Sequence, residues 1–193
     1  MPLTEQQIID RLGGEDRTEG SCSSLAFAYA ANKGGLDVLD FRGGESCDCF
    51  SKSSTIKRIT NAVGGKSMEH TNDFKKAHEL LKSVEEGKEY YFTCGKHAAI
   101  VRKNETNYEY LEMQSTNNKK ENYHNGWHIL TDYTLKWRFK AQKSHSFLGL
   151  KIEPTSVIVE IGKLYKDNSF KRLMGYINTH ENKQMKGEGG DIK

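Results

Sequence analysis

At 193 residues the chain has room for one ordinary domain with a real core and little more. Apolar residues make up 35% and the mean hydropathy is −0.77, so the core is small, the surface well solvated, and no run is long enough to span a membrane. The net charge is only +3, with lysines and acids interspersed and nothing longer than clusters such as Lys119-Lys120; this lacks the basic stripe and aromatic platforms of a nucleic-acid binder.

Thr4 caps a predicted helix over Glu5–Leu12 whose apolar face is Ile8, Ile9 and Leu12, and Gly13-Gly14 ends it. A polar loop, Glu15–Ser21, leads into a second helix from Cys22 to Asn32. Its alanines with Leu25, Phe27 and Tyr29 make it apolar almost all round, which marks it as central. Lys33-Gly34-Gly35 stops it. Leu36–Phe41 is expected as a short strand, followed by a glycine- and serine-rich loop to Ser54. Helices are expected over Ser54–Val63 and Thr71–Val84; in the latter Phe74, Ala77, His78, Leu81 and Val84 follow helical spacing. After Gly87 the pattern turns to strand over Glu89–Thr93, His97–Arg102 and Tyr108–Gln114. Asn117–Asn125 reads as a loop, and Trp127–Phe139 as ambiguous with a helix start near Asp132. Lys151–Ile161 reads as a strand. Helices first and an antiparallel sheet afterwards give an α+β fold, with residues 1–180 as a single domain and 181–193 as a disordered polar tail.

The N-terminal residues have neither the basic start nor the apolar stretch of a secretion signal, so synthesis in the cytoplasm and reduced thiols are expected for Cys22, Cys47, Cys49 and Cys94. Cys47-Asp48-Cys49 with Cys94 and His97 supplies four groups suited to tetrahedral zinc. The single-residue gap is tighter than the usual knuckle, and a ligating His97 is lost to other chemistry, so no metal or other cofactor is assigned. A Cys47–Cys49 disulfide is disfavoured by geometry.

Chemistry concentrates on Cys22, at the start of its helix, and His97, at the start of a strand. A helix N-terminus and a nearby imidazole are the usual means of lowering a thiol pKa. His97–Arg102 and Tyr108–Gln114 form a hairpin around Asn104–Asn107. A turn at Asn104-Glu105 sets His97 across from Glu112, and a turn at Glu105-Thr106 sets it across from Gln114. Strand alternation puts His97, Glu112 and Gln114 on one face in both registers, and Ala98, Ile100, Leu111 and Met113 on the other. Cys22 would attack, His97 would carry the proton, and Glu112 or Gln114 would orient the imidazole. The backbone amide of Cys22 is one candidate donor to the oxyanion. The bland alternative is a buried Cys22 on a core helix, with His97, Glu112 and Gln114 as ordinary strand residues of a binding module.

The stretch Gly20–Gly44, with Cys22 opening an alanine-rich helix before Gly34-Gly35-Leu36-Asp37-Val38, resembles papain-fold toxin domains of bacterial polymorphic toxins. The strands Lys96–Val101 and Tyr110–Gln114 match their later pattern. The chain is also similar to uncharacterised papain-like domains encoded in phages and mobile elements. The resemblance covers roughly residues 18–162 and implies a nucleophilic Cys22, a basic His97, and Glu112 or Gln114 as third member. It further implies a protein or peptide substrate, and a product delivered to another cell or associated with a virion. Papain-type peptidases place a glutamine several residues before the cysteine; Asp16, Arg17, Thr18 and Glu19 stand there in this chain. Deamidation, acyl transfer and loss of catalysis therefore all remain open.

Overall fold

The computed structural model describes residues 3–12, 22–38, 50–114, 124–151 and 155–175. Their organising element is the alanine-rich helix α2 (Cys22–Lys33), in which every residue from Ser23 to Asn32 is buried. It ends in a Schellman motif. Leu36 N–H donates to the Ala31 carbonyl at 3.0 Å and Gly35 N–H to that of Asn32 at 3.0 Å, with Gly35 at φ +84° where a side chain would be strained. α1 (Glu5–Leu12) lays Ile8, Ile9 and Leu12 into the same core.

Six strands form one open, wholly antiparallel sheet in the order β1–β8–β2–β3–β4–β5. The strands are β1 (Lys66–Glu69), β2 (Glu89–Cys94), β3 (His97–Asn104), β4 (Asn107–Glu112), β5 (Gly126–Ile129) and β8 (Thr155–Glu160); β6 (Ser146–Phe147) and β7 (Leu150–Lys151) pair separately. Helices and antiparallel sheet together make the chain α+β. Side-chain alternation splits the core in two. Tyr91, Ala98, Ile100, Leu111, Val157 and Val159 pack against α1, α2, α3 (Ser53–Ala62), α6 (Ile161–Lys166) and α7 (Asn168–Gly175). Tyr90, Phe92, Cys94, Ala99, Val101 and Tyr110 face α4 (Asp73–Leu81) and α5 (Asp132–Trp137), joined there by Phe139. Phe27 stacks on Tyr91 with ring centroids 4.2 Å apart, and the Ser23 and Tyr91 hydroxyls lie 2.8 Å apart, so α2 is pinned to β2 by its first turn and its middle.

Several expected boundaries move. Leu36–Val38 is not a strand, and the rest of that stretch lies outside the described residues, as do Cys47, Cys49, most of Asn117–Asn125 and the tail from Glu181. The last long strand is described over Thr155–Glu160, residues 152–154 of the expected range lying outside the described residues, and Ile161 opens α6, where it is buried with Leu164. The ambiguous stretch resolves into β5 and then α5, started by a Thr131–Thr134 capping box. β1 and β5 are short edge strands without a clean inside-outside alternation, which is why period-two reading passes over them.

Candidate functional site

The site forms at the end of the sheet where β2 stops, β3 starts and β8 starts. The β2–β3 turn is Gly95-Lys96, and Gly95 (φ +59°) has no room for a side chain, because a Cβ would sit 2.3 Å from the Phe139 carbonyl oxygen. A cavity of about 190 Å³ opens there. Cys22 and Ser23 of α2 line it, with Thr93, Gly95, Lys96, His97 and Ala98 of the hairpin, Thr155 and Val157 of β8, and Ser51, Ser53, Ile56 and Lys57 at the start of α3.

Cys22 is the first residue of α2 and only partly exposed. Burial pushes its thiol above the ordinary range. The N–H groups of Ala98, Ser23 and Cys22 itself, and the positive charge of Arg138, favour the thiolate without overcoming that cost. The Ala98 contact has a structural origin. The β3–β4 ladder runs from Asn104↔Asn107 to Ile100↔Leu111. Two residues further, Ala98 N–H would meet the Met113 carbonyl; β4 ends at Glu112 instead, and the sulfur accepts that N–H.

His97 lies on the opposite face of β3 from α2, under the cover of α5 and its following turn. Its ring packs edge-on against Phe139, with centroids 4.9 Å apart. Burial, reinforced by the Arg138 charge and only partly offset by Glu112, lowers its pKa to about 3. The hairpin adopts the Glu105-Thr106 turn, with Glu105 at φ +55°, so the register carries Gln114 opposite His97 and Glu112 opposite Ala99.

Arg138 was not among the sequence-derived candidates, and it reorganises this face. From the end of α5 its Nε donates to Glu112 Oε2 at 2.5 Å, and its Nη2 donates to Glu112 Oε1 at 2.9 Å and to Gln114 Oε1 at 3.4 Å. Glu112 is 1% exposed and also accepts the Gln114 N–H at 3.0 Å. Burial opposes the Glu112 charge, but the guanidinium fork holds its carboxyl below the ordinary carboxylate range. The expectation that Glu112 or Gln114 hydrogen-bonds His97 is therefore corrected. Among the described residues the imidazole has no such bond, because a bidentate, charge-assisted fork outcompetes a neutral ring for a buried carboxylate. The sequence carries no signal for Arg138, because the burial that gives Glu112 its need for a cation comes from the helical cover on this face.

The cavity thus has a neutral Cys22 thiol and a neutral His97 among its lining residues, and a mutually neutralised Glu112–Arg138 pair lies on the His97 face of the sheet. Among the described residues no three His, Cys, Asp or Glu side chains gather as a metal site needs. Cys94, buried, points its sulfur at the Asp73 carbonyl 3.6 Å away, and its pKa is pushed up to about 12 by burial. Nor does any helix among them have the length and apolarity to cross a membrane. Comparison with family models, with curated proteins and with solved structures finds no match for this chain.

Proposed function

We propose that the chain is a thiol-dependent hydrolase or acyl transferase with a papain-like arrangement, acting on an amide, isopeptide or related acyl bond of a protein or peptide. The observation that carries this reading is that Cys22 and His97, from different elements and from opposite sides of the sheet, line one cavity. The sulfur attacks the carbonyl carbon as its proton passes to His97. The proton then goes to the leaving amine as the C–N bond breaks, leaving a Cys22 thioester that water or a second nucleophile opens. Since both groups are neutral at rest, proton transfer accompanies attack rather than preceding it. The N–H groups of Cys22 and Ala98, which favour negative charge on the sulfur, would be the donors to the developing oxyanion. Arg138 and Glu112 are positioning residues for this face. A toxin-like or phage-encoded setting is the one the motif resemblance favours.

The reading is tested with p-nitrophenyl acyl esters. A burst of one p-nitrophenolate per chain is expected, abolished in Cys22→Ala and slowed about 100-fold or more in His97→Ala. A burst surviving Cys22→Ala overturns it. The commitment of Glu112 to Arg138 instead of to His97 favours a second reading, a binding module that keeps the fold without catalysis. That module would show no burst and would bind its partner equally well as Cys22→Ser.

A further inference from the structure

The β2–β8 ladder stops at Phe92↔Ile158, and the next residue of each strand, Thr93 and Val157, lines the Cys22 cavity. There the Val157 N–H donates to the Thr93 side chain, to Oγ1 at 3.0 Å. Thr93 follows Tyr91 by two residues, so alternation turns its side chain to the α2 face of the sheet. In the β2–β3 ladder it stands directly opposite Ala98, whose N–H the Cys22 sulfur accepts. The hydroxyl and the thiol are therefore presented to one cavity from the same side of the sheet.

A hydroxyl has one proton to donate and two lone pairs. At Thr93 the Val157 N–H occupies a lone pair and holds the oxygen in place, while the proton has no acceptor among the described residues. Three other donors on the cavity wall are already engaged. The Ser23 hydroxyl pairs with that of Tyr91 at 2.8 Å, and the Thr155 hydroxyl and the Lys57 ammonium both go to Glu69, at 3.2 and 2.5 Å. Thr93 is half-buried beside the buried Ala98 and Val157, so it presents a neutral donor in surroundings that partly exclude water. A neutral amide carbonyl suits such a donor, because it brings no charge that the apolar neighbours would have to accommodate.

Resting on the thioester reading, we infer that Thr93 is a substrate-binding residue whose hydroxyl donates to an amide carbonyl of the acyl group, so that the site prefers peptidyl donors to simple acyl donors. The scissile carbonyl meets Cys22 while the neighbouring amide of the same acyl group is held over the end of β2.

The test compares acylation of Cys22 by N-acetylglycyl and pentanoyl p-nitrophenyl esters, which match in chain length and differ in the amide. The acetylglycyl-to-pentanoyl ratio of burst rates should exceed the ratio measured with N-acetylcysteine as a free thiol by about threefold to tenfold, the worth of one neutral hydrogen bond. Thr93→Val should bring the ratio down to the free-thiol value, and Thr93→Ser, which keeps the hydroxyl, should hold it. A merely structural role for Thr93 would lower both rates together and leave their ratio alone. The comparison on the natural chain needs no variant, so it decides the matter if Thr93→Val fails to fold. A natural ratio no higher than that of the free thiol, or one that Thr93→Val leaves in place, overturns the role of Thr93 and leaves the thioester reading standing. Absence of an acyl-enzyme with either ester overturns both, so the two failures are told apart.

Discussion

Arg138→Met separates the buried pair behind the site. Glu112 is 1% exposed and its carboxylate is held by two guanidinium hydrogen bonds at 2.5 and 2.9 Å. Methionine keeps much of the volume and removes the charge. A buried ion stripped of its partner costs about 3–5 kcal/mol. For a chain of this size that corresponds to a melting temperature lower by about 6–20 °C, at roughly 2–4 °C per kcal/mol. The pH dependence of the loss is more diagnostic. In the natural chain Glu112 has a lowered pKa, so its pairing stabilises above the ordinary carboxylate range and is lost as pH falls through the lowered value. In Arg138→Met burial, the largest influence on this carboxyl, is opposed by little more than the Gln114 N–H, so the pKa rises. The variant then gains relative stability on acidification and loses it as pH rises past about 4.3. Urea unfolding of both proteins between pH 4 and 8 should give a difference that is largest near neutrality and shrinks toward pH 4. Adding Glu112→Gln to the variant should recover part of the loss, because no buried charge remains. A difference under about 1 kcal/mol at pH 7, or one independent of pH, refutes the reasoning.

Gly95→Ala forces a Cβ toward the Phe139 carbonyl from a positive-φ position. It should cost about 1–3 kcal/mol in urea unfolding and, by displacing the segment behind Arg138, slow the p-nitrophenolate burst. Asp73→Asn removes the carboxylate that pairs with the fully buried Lys76 at 2.9 Å and accepts the Gln142 N–H at 2.9 Å and the His145 ring at 2.7 Å. A loss of about 3–5 kcal/mol at pH 7 is expected from the same measurement. Because burial and Arg138 lower the His97 pKa to about 3, the acid limb of the burst rate should lie near that value, with the base still neutral at pH 5; a limb near 6.5 would show an ordinary imidazole.

Much of the scaffold is legible in the residues, for physical reasons. The range of α1 follows from its Thr4 start, its three apolar positions and Gly13-Gly14. The two faces of the β3–β4 hairpin follow from alternation, which survives either choice of turn. The cover on the second face was not legible. It comes from α4 and α5, and α5 lies in a stretch whose aromatic and polar residues fit strand and helix equally. Without that cover, His97 and Glu112 read as solvated strand residues free to pair. With it, they are buried, and Glu112 takes the cation that the end of α5 brings. The edge strands β1 and β5 were equally hidden, since their positions are set by neighbouring strands rather than by their own pattern.

The measurement closest to the central claim is intact mass after acid quench of the protein mixed with an activated acyl donor. One acyl group mapped to Cys22, and formed at least about 100-fold more slowly in His97→Ala, is expected. Acylation of another residue, or equal rates in the two proteins, would contradict a sulfur activated by this imidazole.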